Sequence, residues 1–235
     1  MPRKAKAVRA INKQPILYLQ TDPKWADRDY SAAGESTTIG KSGCGPTCAA
    51  MLIETITGKK FTPVDACAWA LKKGYKAPHQ GTYYSYFVPQ FAAHGIKCER
   101  INGVSIYGSK TAAAHRDAFE LLKEGWYLIA CMGKGNWTSS GHYVVVWWED
   151  GWVRINDPAS TATARVKGNL NTFKSQVKYY WAVDAREHNQ DELAEAVDKL
   201  AAAGVIGSPD YWKRGKDYSD ANVIALLKKA ATLCK

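Results

Sequence analysis

The stretch TIGKSGCGPTCAAMLIETITG, residues 38–58, decides how this chain is read, because it places Cys44 between two glycines at the mouth of an apolar helix. Pro46 fits the first helical position, where a missing N–H costs nothing. Cys48, Met51, Leu52, Thr55 and Ile56 then follow at the spacing of one helical face, and Gly58 supplies the stop. A thiol at such a helix tip has a physical reason to ionise. The helix N-terminus favours an anion, and a neighbouring imidazole would lower the ordinary thiol pKa of about 8.5 further. The flanking glycines permit a tight turn and close approach of a substrate backbone. The competing reading is a small buried hydrophobe, the common fate of a free cysteine. Choosing between them requires a base.

Five histidines are available. His79, His94, His115 and His188 lie in helical or loop stretches whose spacing suggests no partner, and read as surface or packing residues. His142 differs. It follows TSSG and opens HYVVVWW, a run that reads as a strand buried on both faces. The EDG that follows lies between two apolar runs and signals a hairpin. If Asp150 and Gly151 form a two-residue loop, Glu149 faces Trp152 and Val144 faces Asp157. His142 shares the face of Val144, so Asp157 becomes its diagonal neighbour at roughly 7–8 Å between backbones, within side-chain reach. A three-residue loop without a bulge would turn Asp157 away. Asp157-Pro158 also has a plain reading as strand end and turn. Taken together, a Cys44/His142/Asp157 triad is the better account: the cysteine attacks, the histidine moves the proton and the aspartate fixes the tautomer.

Around this core the chain divides into three parts. Residues 1–13 are a flexible basic arm, residues 14–187 the catalytic domain, and residues 188–235 a small helical module set off by a composition shift near DAREHNQDE. Further helices are expected through TPVDACAWALKKG, VPQFAAHG and HRDAFELLKEG. The period then changes, and WYLIACMG, HYVVVWW, GWVRIND and YYWAVDA read as strands. Helices first and then an antiparallel sheet define an α+β fold. In the tail, DELAEAVDKLAAAG, SPDYW and DANVIALLKKAA read as helices.

Composition narrows the chemistry. Thirty-two Lys and Arg against 22 Asp and Glu give a net charge of +10, which favours polyanionic partners: nucleic acid, anionic membrane surface or a bacterial wall. No aromatic RNA-binding motif, zinc pattern or clustered basic helix is present, so no nucleic-acid partner is expected. No apolar run approaches the roughly 18 to 20 residues of a membrane span, and the basic N-terminus carries no apolar export signal. The six cysteines (44, 48, 67, 98, 131 and 234) form neither a metal pattern nor a disulfide scaffold, so free thiols, no metal and no cofactor are expected. Intact Cys, His and Asp argue against a binding protein with a degenerate site.

The blocks LQTDPKWADRDY, GCGPT, GWYLIACMGKGNWTSSGH and GWVRINDPAS, in this order over about residues 15–185, resemble the stand-alone relatives of the bacteriocin-leader-processing cysteine peptidases, a branch of the papain clan. The resemblance implies a papain-like α+β fold with Cys44 as nucleophile, His142 as base and Asp157 as orienting acid. The leader-processing members carry a glutamine shortly before the cysteine as an oxyanion-hole donor; here that position is Thr38. The Cys44 N–H can supply one donor, and Gln20, Thr38 and Ser42 are the candidates for the second. The AVDKLAAAGVIGSPDYW…ALLKKAA pattern of the tail resembles that of wall-degrading enzymes of phages and Gram-positive bacteria. Peptidoglycan is then the expected substrate, reached after release from the cell in which the protein is made. The alternatives within the clan are a protein or leader-peptide peptidase and an acyl transferase, which use the same acyl-enzyme.

Overall fold

The four runs read as strands pair into one antiparallel sheet, joined at its edge by a fifth. The strands are β1 (Cys98–Ile101), β2 (Trp126–Met132), β3 (His142–Glu149), β4 (Trp152–Asn156) and β5 (Val177–Asp184), in the spatial order β1-β5-β2-β3-β4. The computed structural model describes residues 14–101, 111–149, 152–167, 169–214, 218 and 220–231. The basic arm 1–13, the loop residues Asp150 and Gly151, and Cys234 lie outside the described residues. β1 escapes a sequence reading because its middle residues, Glu99 and Arg100, are exposed and it is only four residues long.

The helices of this unit are α1 (Ile39–Ser42), α2 (Cys44–Thr57), α3 (Pro63–Lys72), α4 (Phe87–Ala92), α5 (Thr111–Lys123), α6 (Thr163–Val166) and α7 (Leu170–Gln176). α2 starts at Cys44 and ends at Gly58, whose φ of 65° and N–H to Glu54 O close the helix. Pro46 is its third residue rather than its first, still inside the first turn, where the helix asks for no N–H donor. α3 opens with a capping box: Thr62 accepts from Asp65 N, and the Asp65 side chain accepts from Thr62 N at 2.8 Å.

Strand alternation supplies two apolar faces, and both are covered. Tyr127, Ile129, Tyr143, Val145, Trp181 and Val183 pack with Cys48, Leu52 and Ile56 of α2 and Phe87 and Phe91 of α4. On the other face Leu128, Ala130, Val144, Val146 and Tyr180 pack with Ala118 and Leu122 of α5 and Phe173 of α7. Each fully buried large apolar side chain contributes roughly 1.5–3 kcal/mol. The result is a three-layer arrangement in which the ends of β3 and β4 are held from both sides.

The described residues divide into two compact units, the first ending at Ala185 and the second beginning at Arg186. The C-terminal unit contains α8 (Arg186–Ala202), α9 (Pro209–Lys213) and α10 (Asp220–Ala231) around Val197, Val205 and Ile206. The composition shift at DAREHNQDE is itself the first part of α8, because polar residues of good helix propensity continue the helix without an apolar period.

Candidate active site

α1 and α2 abut at Gly43, and the junction fixes the nucleophile candidate. A Cβ at Gly43 would fall 2.6 Å from Ile39 O, so only glycine fits the turn. At Gly45 a Cβ would meet Thr82 and Tyr143 at 3.2 Å. The close approach that Gly45 permits is thus to the protein's own chain. Cys44 is 9% exposed and lines an open cleft of about 450 Å³ with His142, Thr82 and Tyr143. Burial pushes its thiol toward neutrality. The hydrogen bond and charge of His142, with the N–H groups of Tyr143 and Gly45, overcome this and hold the thiol below its ordinary pKa. Cys48, one turn further on, is fully buried, and its thiol is pushed well up. The remaining described cysteines, Cys67, Cys98 and Cys131, are likewise free and buried.

The β3–β4 register is the one a two-residue loop requires: Glu149 faces Trp152 and Val145 faces Asn156, which carries Val144 to Asp157. His142 Nε2 lies 2.8 Å from Asp157 Oδ1, with Asp157 fully buried. Nε2 being occupied, Nδ1 is the nitrogen left for the Cys44 thiol. Burial disfavours the charged ring, but the hydrogen bonds to Asp157 and Cys44 outweigh it and raise the His142 pKa to about 9. Together these shifts favour a thiolate beside an imidazolium over the neutral pair.

Asp157 is itself anchored. Its Oδ1 also accepts from Ala159 N at 2.8 Å, and Arg165 Nε sits 2.7 Å from Oδ2 as a close ion pair without hydrogen-bond alignment. Arg165 in turn donates to Trp137 O at 2.7 Å while Trp137 Nε1 donates to Arg165 O at 3.0 Å, tying α6 to the loop before His142. Sequence reading missed Arg165, because nothing in TARV marks a one-turn helix that folds back on the triad.

The three candidates for the second oxyanion donor separate clearly. Thr38 is the N-cap of α1, and its carbonyl accepts from Ser42 N at 3.0 Å and Ser42 Oγ at 3.2 Å, so the Ser42 hydroxyl is turned back along the chain. Gln20 is buried, its N–H donates to Pro158 O at 2.7 Å, and its Nε2 donates to Gly40 O at 2.8 Å. It therefore ties the turn after Asp157 to α1, and of its two amide hydrogens one remains beyond the bond to Gly40. None of the three is among the residues lining the cleft.

The opposite wall of the cleft is a loop braced by a buried ion pair. Lys76 Nζ lies 2.5 Å from Glu35 Oε1 and also donates to Ala77 O and Gln80 O, while Glu35 accepts from Ala32 N and His79 N. The Lys76 bond and these N–H groups hold the Glu35 carboxyl at about 2. Tyr30 and Tyr143 pin Thr82 in the same loop through its hydroxyl and carbonyl, at 2.7 and 3.1 Å. His79 is exposed at the cleft edge with a φ of 56°. His94 packs on Phe61 and His115 on Tyr180, as packing residues do; the side chain of His188 lies outside the described residues. Among the described residues no cluster of three or more His, Cys, Asp or Glu could hold a metal, and no helix is long and apolar enough to cross a membrane.

The sequence model of the Peptidase_C39 like family matches residues 20–188, which contain the whole constellation. Among solved structures, one from Bacillus anthracis described as a C39-like peptidase is similar at 12% identity, covering 73% of this chain and 98% of that one, with a TM-score of 0.43. No curated protein matches the sequence.

Proposed function

The chain belongs to the Peptidase_C39 like family and is a cysteine peptidase, and from that premise we propose that it hydrolyses an amide bond in bacterial peptidoglycan through Cys44, His142 and Asp157. The observation that carries the mechanism is the 2.8 Å contact between His142 Nε2 and buried Asp157, with Cys44 at a helix tip beside the ring. The Cys44 thiolate attacks the carbonyl carbon, and the His142 Nδ1 proton passes to the departing amine, leaving a thioester. Water then gives a proton to Nδ1 and attacks the thioester, which releases the carboxyl product and restores the thiolate. Asp157 holds the ring so that Nδ1 faces sulfur throughout.

The tetrahedral oxyanion needs donors that do not move. Cys44 N–H belongs to the first turn of α2, whose amide groups have no partner within the helix. Gln20 supplies the second donor in this account, because of the three candidates it alone is buried beside both α1 and the turn after Asp157.

Two features support the wall as substrate. The net charge of +10 suits an anionic polymer, and the C-terminal unit, with its resemblance to tails of wall-lytic enzymes, offers Tyr211 and Trp212 in a shallow pocket of its own. In this account the tail brings the enzyme to the wall, after release from the producing cell, and takes no part in the chemistry. The test is to incubate the protein with purified Gram-positive walls and identify released fragments by mass. New amine ends in peptide stems or cross-bridges are expected. Intact walls beside ready cleavage of a protein or leader-peptide substrate would replace this reading with the processing peptidase.

A further inference from the structure

The cleft holds a cation that the triad does not use. Pairing of β2 with β5 runs regularly to Cys131 opposite Tyr179 and then jumps to Met132 opposite Val177, so Lys178 is the extra residue of a β-bulge. Regular alternation would place it on the face of Tyr180, which is buried under α5 and α7. Instead it lines the cleft with Cys44, Cys131 and Tyr143, residues of the other face. A bulge is a device for re-aiming a side chain, and here it delivers an ammonium group to a catalytic cleft.

The surroundings make room for that group and steady it. A Cβ at Gly133 would lie 3.2 Å from Lys178 Cγ and Cδ, so the glycine leaves space for the stem. Burial works against the charge, but the neighbouring Tyr84 and Cys131 outweigh it and raise the Lys178 pKa. Tyr84 packs edge-on against Tyr179 at 4.8 Å, and the Arg100 guanidinium lies 4.3 Å from the Tyr179 ring, adding positive charge behind it. Among the described residues that line the cleft none is Asp or Glu. A half-buried cation with no carboxylate among the described residues that line its cleft, in a site that binds peptides, is complementary to an anionic substrate group.

We propose that Lys178 forms a carboxylate subsite, so that this peptidase prefers peptides carrying a free carboxylate near the bond cleaved. The inference rests on the reading of Cys44 as nucleophile and defines the substrate class more narrowly. The carboxylate could be a main-chain terminus or an acidic side chain, and both sources can be tested without knowing the natural substrate. The full-length protein is alkylated with N-iodoacetylglutamine (free main-chain carboxylate), N-iodoacetylisoglutamine (free side-chain carboxylate) and the corresponding diamide, with Cys44 modification followed by mass. One of the acids should alkylate Cys44 about tenfold faster than the diamide, the size of a partly exposed charge-assisted contact, and the faster isomer identifies the source. Lys178→Met and Lys178→Gln, which both remove the charge and keep part of the stem, should bring that ratio close to one, and Lys178→Arg should retain part of it. An acid-to-diamide ratio equal in wild type and both neutral variants, for both isomers, overturns the subsite while leaving the nucleophile in place. Failure of iodoacetamide to label Cys44 ahead of the other cysteines overturns the nucleophile reading and the subsite with it.

Discussion

The catalytic unit and the C-terminal unit solve different physical problems. The first buries aromatic and aliphatic side chains on both faces of a sheet and uses that mass to hold a buried carboxylate, a buried Lys–Glu pair and a shifted thiol in place. The second packs, among its described residues, around Val197, Val205 and Ile206, and leaves Ile224 and Leu227 52% and 63% exposed on α10. Holding ionised groups out of water requires a rigid frame with satisfied partners. Adhesion requires only accessible surface. The contrast is the one expected if, as proposed, chemistry belongs to residues 14–185 and wall capture to the tail, and it can be attacked from either side.

The largest effect belongs to the nucleophile. Cys44→Ala should lower hydrolysis of both a soluble muropeptide and intact walls by about 10⁴-fold or more, while the fraction sedimenting with walls stays as in wild type. A fully active variant would end the mechanism. Next come the groups around the sulfur. Asp157→Asn should lower turnover by about 10²- to 10⁴-fold with normal folding, and Gln20→Ala by about 10²- to 10³-fold; full activity of Gln20→Ala would return the second donor to other groups.

The pH profile sharpens the same point. His142 is raised from its ordinary value of about 6.5 to about 9, so its imidazolium is fully present below the lower value and lost as pH rises through the upper one. Activity on the muropeptide should therefore fall with an alkaline limb near pH 9, and Asp157→Asn, which removes one cause of the elevation, should move that limb to lower pH. A limb unmoved by the substitution would detach Asp157 from the ring.

Smaller effects belong to the tail. A truncation ending at Asp184 should keep hydrolysis of the muropeptide within about twofold and lose about tenfold on intact walls, as expected when a tethered binding module is removed. Equal losses on both substrates would erase the division of labour. Raising ionic strength from about 0.1 to about 1 M shortens the screening length from roughly 10 to 3 Å, and wall binding measured by sedimentation should weaken with it.

Much of this site was legible in the sequence because its signals are local. Apolar spacing from Cys48 to Ile56 and the stop at Gly58 located α2, and a two-residue hairpin loop was enough to predict that Asp157 would reach His142. What escaped depends on contacts distant in sequence or on backbone irregularity. Glu35 and Lys76 lie in unrelated loops, and no pattern in either says that they pair. Arg165 sits on a single helical turn that carries no periodicity. Lys178 reads as one more residue of an aromatic strand, and only the bulge turns it into the cleft. Gln20 stands 24 residues before Cys44; the sequence names it as a candidate, but its bonds to Gly40 O and Pro158 O emerge only in three dimensions.

The account depends most on a thiolate at Cys44 that His142 and Asp157 sustain. The direct test is the rate of iodoacetamide alkylation of Cys44 as a function of pH, followed by mass, in wild type and in Asp157→Asn. The account predicts a wild-type curve whose rise lies below the ordinary thiol value of about 8.5, with Cys44 labelled ahead of Cys48, Cys67, Cys98 and Cys131, and a shift of that rise toward the ordinary value in Asp157→Asn. A rise at the ordinary thiol pKa in wild type, unchanged by the substitution, would contradict it.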